Sequence, residues 1–568
     1  MTRPRIAADV AAALTAAIPP RLIKKLDAEP TLADRWTWSA TAVVTDKNET
    51  VSLTLTGEVI TGVACSCLLQ PKCLHIAAVV TLLEPDASTA GAAAPAAAAA
   101  APQEALVVDV AAARSAFAAL GAVLAAGAES SGAFAQAELL RSIHACRTAG
   151  LHRLATAQTR ALRSIRELRT DRSEFSLPIL TADLRDGLAV AHALAHGTAA
   201  PTAALVGTAR REYEDAGNLR VRGVLCEAVV ARSGYAGCTT YLIDDRGQLY
   251  TRSDVAPGDA GRAAGAYDAS AAIGDAVLPH RELCRSGLFV SDATASADGR
   301  LGAGQKVRAV RSSEPSRWDG DHLAPKFKRP LAEQLAHIAA LDAGPDELRP
   351  AGWDFLYVEG TLVGGPGGVG IVAGETPIRF TTMLEHKALT ARDNLVVLSR
   401  ASGLAVRAIG RCRIGVPREL ELLAIGPAPG ETRFTMPDAW HGRANLHYDR
   451  LSQMRLGDAP DLTVAAPLPH DDLLGPLRRR VERAVLGGAG TLPTHAIAEL
   501  EREAAALAER ALHGGAEVLR DLAALAHDAA RAATGMRRPL DRNAFAAAWL
   551  RAALYEDSAR RRLSVASW

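Results

Sequence analysis

A chain of 568 residues with 49% hydrophobic side chains holds enough apolar mass for several buried cores, about three to five domains by length. Its 64 Lys and Arg against 63 Asp and Glu leave a formal net charge of +1, so the whole molecule has no field to gather nucleic acid or an acidic membrane, and any such attraction must be local. No run of about eighteen apolar residues, no apolar leader core and no dense cysteine framework is present, which excludes membrane-spanning and disulfide-scaffold classes and predicts a cytoplasmic protein.

In chain order, residues 36–44 and 51–56 alternate apolar and polar side chains, with Asp46, Lys47, Asn48 and Glu49 as turn residues between them. This predicts a hairpin. A third extended run over 58–63 delivers the chain to Cys65. Cys65, Cys67, Cys73 and His75 then fall within eleven residues, as a C-x-C pair and a C-x-H pair. Tetrahedral Zn²⁺ accepts three thiolates and one imidazole at about 2.0–2.3 Å, and each pair can place two ligands on one ion. Residues 68–72 form the loop between the pairs and reach much further than adjacent ligands require. Four protein ligands leave no position for water, so the expected cofactor is one structural Zn²⁺. Buried free thiols are the competing account, since a free cysteine often acts as a small apolar residue.

Directly after His75, the residues Ile76, Val79, Val80 and Leu83 recur at helical spacing and predict a helix packed on the sheet. This succession of C-x-C, short loop, C-x-H and apolar helix resembles the SWIM zinc finger family over roughly residues 35–85. The resemblance implies a ββα zinc module that binds DNA or other proteins and does no chemistry itself.

Composition sets the remaining boundaries. A zinc module over 1–84 is followed at 85–103 by a Pro-punctuated alanine tract that reads as a low-complexity linker. Helical periodicity at 105–124, 133–149, 151–169 and 179–194 predicts a bundle within a domain at 104–215. Strand and turn signals define a β-rich, possible OB-type domain at 216–330 and a second β-rich, mixed domain at 331–470. Helices return within 471–568. The fold class is therefore α+β and multi-domain: a ββα zinc module, a helical bundle, a β-rich middle and C-terminal helices.

Catalytic motifs are near-misses. Gly365, Gly367 and Gly370 satisfy G-x-G-x-x-G, yet Ile371 and Val372 follow where a dinucleotide site needs a helix, so a glycine-rich hairpin is expected. The segment from Gly299 to Lys306 lacks G-K-[ST] and leads into a strand. His441, Arg443, Asn445, His447, Asp449 and Arg450 form the densest polar cluster, read as a capped surface turn because no nucleophile or metal partner is identifiable. His280 and Cys284 share a helix face at i, i+4, but two ligands do not make a zinc site. Cys146, Cys226, Cys238, Cys284 and Cys412 read as scattered reduced thiols.

One electrostatic feature remains. Eight arginines lie between Arg141 and Arg172, with Glu167 and Asp171 as the only acids, and Arg153, Arg160, Arg163 and Arg166 fall opposite an apolar stripe. They are the candidate polyanion-binding residues. Residues 1–83 carry eight basic and seven acidic side chains, so the finger shapes a contact rather than driving one. The functional expectation is a zinc-binding adaptor that binds nucleic acid, a protein partner or both. The alternative is an enzyme, or an enzyme subunit, with its active site in 219–460 and the finger serving for targeting.

Overall fold

The computed structural model describes residues 4–7, 32–57, 59–67, 73–83, 108–170, 175–197, 203–208, 212–304, 306–342, 349–365, 368–452, 472–491, 497–528 and 541–568, with a few further single positions and the pair 85–86. It is α+β, 43% helix and 29% strand, and divides into two compact units, 1–104 and 105–568. Most of the alanine tract expected as a linker lies outside the described residues.

In the first unit the alternation seen in sequence becomes burial. Along β4 (Thr50–Thr56), Val51 and Leu53 point into the core while Ser52 and Thr54 face outward. β3 (Ala42–Val44) and β5 (Val59–Cys65) flank β4 antiparallel, and the turn is closed by the Thr45 N–H to the Glu49 carbonyl with Asn48 at φ +64°. The sheet is larger than a ββα unit. β2 (Thr37–Trp38) extends one edge, while β1 (Arg5–Ala7) joins β5 in parallel and pairs in turn with β6 (Pro85–Asp86). The module therefore runs past residue 84. Helix Leu74–Val80 lays Ile76, Val79 and Val80 on the core, with Ile6, Val43 and Ile60 among its partners.

In the second unit, the helices expected as two separate domains share one core. Val110–Ala126, Ala133–Thr148, His152–Thr170 and Leu177–His196 pack with Gly475–Gly487, Ile497–Glu509, His513–Asp528 and Arg542–Ala566. Trp549, fully buried, donates its Nε1–H to the Val481 carbonyl at 3.0 Å. Gly127, at φ +84°, has Gly488 so close that an added Cβ would lie 2.5 Å from its nitrogen, a position only glycine fits.

Between these helical segments lie two sheets. β7 (Glu214–Ala231), β8 (Tyr235–Asp244), β9 (Leu249–Pro257), β12 (Ser286–Ala295) and β13 (Arg308–Pro315) form an open antiparallel sheet in the order β13-β12-β7-β8-β9. β10 (Ser270–Ile273) and β11 (Ala276–Pro279) form a separate hairpin. β14 (Phe355–Gly365), β15 (Gly368–Ala373), β16 (Thr376–Thr381), β17 (Ala405–Cys412) and β18 (Glu419–Pro427) close on themselves through a parallel β16–β18 pair. That Greek-key closure is the connectivity of an OB-type barrel, and it falls here rather than in the 216–330 segment where sequence had placed it. The Gly365–Gly370 motif is the β14–β15 hairpin, as expected.

The two sheets are locked by buried polar groups. β12 accompanies β7 only as far as Arg222, so the following stretch of β7 has a ladder edge to satisfy. Side chains satisfy it: Trp318 donates to the Val224 carbonyl, and the N–H groups of Cys226 and Ala228 donate to Asn445 Oδ1 at 2.9 Å and His447 Nδ1 at 3.3 Å. Arg443, Asn445, His447 and Asp449, every second residue of one segment, are all buried. The surface-turn reading of this cluster is thus corrected, because its polar atoms have partners far away in sequence.

His447 makes this segment acid-sensitive. Burial foremost, and then the charge of Arg411, push its pKa down from 6.5 to about 4. Since Nδ1 accepts a hydrogen bond, the neutral ring carries its proton on Nε2. Between the two values the folded state binds fewer protons than the unfolded one, so this contribution is complete above about pH 6.5 and is lost as pH falls toward about 4. At full extent that is up to about 3 kcal/mol. Urea unfolding of wild type and His447→Gln from about pH 7.5 to about pH 4.5 is expected to give a flatter pH dependence for the variant. Parallel curves would show that His447 titrates as it does in water.

Candidate metal centre

Three local features bring Cys65, Cys67, Cys73 and His75 together. Cys65 ends β5, Cys67 follows in the bend beyond it, and Cys73 is the N-cap of helix Leu74–Val80, so His75 lies in the first turn. One ligand atom from each of the four lies within 4.8 Å of all the others. The Cys65 sulfur is 3.7 Å from His75 Nδ1. Cys65 and Cys73 are buried, while Cys67 and His75 are half-buried.

The surrounding groups hold the quartet. The Ile76 N–H points at the Cys73 sulfur at 3.4 Å, so the helix N-terminus stabilises a thiolate there. Gln70 accepts the Cys65 N–H at 2.5 Å and fixes the approach of the chain to the site. His75 Nε2 lies 3.6 Å from Glu49 Oε2, and Thr45 donates its hydroxyl to the same oxygen at 2.9 Å. This is the arrangement that orients a metal-binding imidazole, with Nδ1 toward the other ligands and the second nitrogen toward a carboxylate. Trp36 stands edge-on to the ring, 5.7 Å between centroids.

Electrostatics favour a cation among them. Burial pushes the Cys65 thiol up to about 12 and also raises Cys73, so deprotonating these sulfurs without a counter-charge is unfavourable. A metal ion supplies that charge. The residues present therefore fit a metal: four converging soft donors, a preset imidazole tautomer and a helix N-terminus facing a sulfur. Glu49 and Gln70 were missed in sequence, although Glu49's place in the hairpin turn, opposite the ligands, was a usable signal.

The candidate polyanion residues fare differently. Arg153 pairs with Asp186 at 2.8 Å, and Arg160 reaches Asp183 at 2.7 Å and Asp186 at 2.9 Å. Two of the four candidate polyanion-binding residues are thus paired with acids of the neighbouring helix. Arg163 and Arg166 are exposed, and Arg166 also contacts Gln136 at 3.3 Å. Among the described residues no helix is long and apolar enough to cross a membrane. Comparison with protein-family models, curated proteins and solved structures found no match.

The geometry separates ligands from supports. Elemental analysis of purified protein is expected to show Cys65→Ser carrying about one metal equivalent per chain less than wild type, because a closed four-ligand site fails when one ligand is lost. Glu49→Ala should retain the site but weaken it roughly 10–100-fold in a chelator competition. Equal metal content in wild type and Cys65→Ser would remove the assignment.

Proposed function

We propose that this chain is a zinc-binding adaptor whose N-terminal module is a SWIM-type finger with a structural ion. The convergence of the Cys65, Cys67, Cys73 and His75 ligand atoms within 4.8 Å carries this reading. Thiolate and imidazole donors without a carboxylate ligand select zinc over magnesium or calcium, and the tetrahedral preference of zinc matches four ligands. A closed shell leaves no water to activate, so the ion's contribution is to hold the β5 end against the helix.

A protein partner fits better than nucleic acid. The finger is nearly neutral, and Arg153 and Arg160 already face Asp183 and Asp186. The OB-type barrel offers no substitute, since its β15 and β16 expose Arg379 but no aromatic platform for bases, and Arg379 lies 3.7 Å from Glu419. The enzyme reading loses its best candidates as well: Asn445, His447 and Asp449 hold backbone groups and ion pairs.

The test is to compare full-length wild type with Cys65→Ser and with Arg163→Gln/Arg166→Gln. Chemical cross-linking in the source cells, followed by identification of adducts, is expected to give a defined protein adduct with wild type that is lost in Cys65→Ser. DNA and RNA oligonucleotides should bind weakly, with a log K against log salt slope unchanged by the double arginine variant. A slope that drops by about 0.7–0.9 for each arginine removed would make nucleic acid the partner. Identical adducts for wild type and Cys65→Ser would reject the finger as the docking element.

A further inference from the structure

A second set of metal-ligating side chains lies inside the open sheet. On the β7–β8 pair, Cys226 stands opposite Thr240 and Ala228 opposite Cys238, so Cys226 and Cys238 are diagonal neighbours on one face. The helical turn His280–Leu283, which follows β11, sets His280 against that face, its Nδ1 2.8 Å from Thr240 Oγ1. Ligand atoms of Cys226, Cys238 and His280 all lie within 4.8 Å of one another. Sequence separated them by up to 54 positions, which is why they read as unrelated thiols.

Two observations bear on what this group can hold. His280 is fully buried, and its Nε2 has no hydrogen-bond partner. A core imidazole normally has both nitrogens bonded, because an orphan polar atom costs about 1–3 kcal/mol. The Thr240 hydroxyl at Nδ1 can donate or accept, so it leaves either ring nitrogen able to give up its proton to a metal. The second observation concerns charge. Arg443 is fully buried, its Nε and Nη1 have no hydrogen-bond partner, and its charge acts on Cys284. Cys284 is the remaining thiol of the same apolar cluster, four residues after His280, and it is approached by Asn445 Nδ2 at 3.5 Å.

We propose that Cys226, Cys238 and His280 hold a second, structural zinc ion, with Cys284, whose sulfur lies outside the 4.8 Å group and on the Arg281 carbonyl at 3.3 Å, turning in to complete the tetrahedral shell. Two thiolates balance Zn²⁺, and the third leaves one negative charge for Arg443 to offset. A dry interior tolerates such a group because the charges are paired and the donors are soft. Asn445 then has a double role: it closes the β7 ladder at Cys226 and positions the Cys284 sulfur. This site is independent of the finger and of the adaptor reading.

The experiment uses full-length protein produced with zinc in the medium. Wild type is expected to carry about two zinc ions per chain, and a Cys65→Ser/Cys67→Ser/Cys73→Ser variant about one. Because the second site is fully buried, this remaining ion should resist a chromogenic chelator until denaturant is added. Cobalt incorporated into the finger variant should give thiolate-to-cobalt charge-transfer absorption and the intense visible bands of a tetrahedral site. A folded finger variant, by circular dichroism, with no bound metal would overturn the proposal without any change at the second site. So would a Cys226–Cys238 disulfide in that variant. Adding His280→Gln should lower zinc occupancy at least tenfold, and full retention of the ion in that folded variant would also reject the assignment.

Discussion

Inside the larger unit the Arg411 guanidinium lies between the carboxyl groups of Glu227 and Asp354. It meets Glu227 at 2.5 Å and Asp354 at 2.6 Å, and the Tyr241 hydroxyl touches both Arg411 and Glu227. The three charged residues come from different parts of the fold: Glu227 from β7 of the open sheet, Arg411 from β17 of the barrel, and Asp354 from just before β14. Burial alone pushes Asp354 upward, toward its neutral form, and the arginine opposes it. Such a cluster adds little net stability relative to well-packed apolar residues, but removing one member leaves buried charge uncompensated. It therefore fixes the registry between sheet and barrel. The apolar cluster around Tyr241, Trp318, Phe327, Phe355 and Ile409 can form only in that registry, and it contains side chains from both.

The segment 443–449 is the second clamp. Asp449 binds Arg285 at 2.6 Å and accepts the Asn445 N–H at 2.7 Å, while Tyr267 stacks on Tyr448 at 4.2 Å. These contacts hold Asn445 and His447 where β7 lacks a neighbouring strand. A strand would have supplied main-chain partners for those N–H groups; here side chains supply them at the same edge. The consequence is chemical as well as structural. The sheet face bearing Cys226, Cys238 and Thr240 is covered by Tyr267 and Tyr448, so its thiols and His280 meet each other in a fully buried, largely apolar setting.

How much of this was legible in sequence follows from the range of the contacts. The Cys65, Cys67, Cys73 and His75 cluster was legible because its members lie within eleven residues and the strands before it alternate with period two. The three-residue β1 was not, since its pairing with β5 and β6 is non-local and too short to leave a pattern. Helices were recovered nearly in place, with capping residues such as Asp109 and Asp541 at their starts. Their union in one core was not, because amphipathic faces do not name their partners. The polar run at 441–450 misled for the same reason. Asn445 and Cys226 are 219 positions apart, so a buried polar ladder looked like a solvated turn. Similarly, the partners of Arg160 could not be named in sequence because Asp183 and Asp186 lie on the next helix.

These placements explain how 64 basic residues can coexist with so little free field. Arginine is used throughout as an internal connector: Arg480 joins Glu499 and Glu503, Arg185 reaches Asp557, and Arg262 spans Asp254 and the Ala236 carbonyl. Its planar fork of donors engages two acceptors at once, which lysine's point charge does not. In this chain, charge that would attract a polyanion is spent positioning helices and strands. If the proposed adaptor role holds, its partner-binding surface is defined by shape and local polarity more than by charge, which is what a nearly neutral N-terminal module can offer.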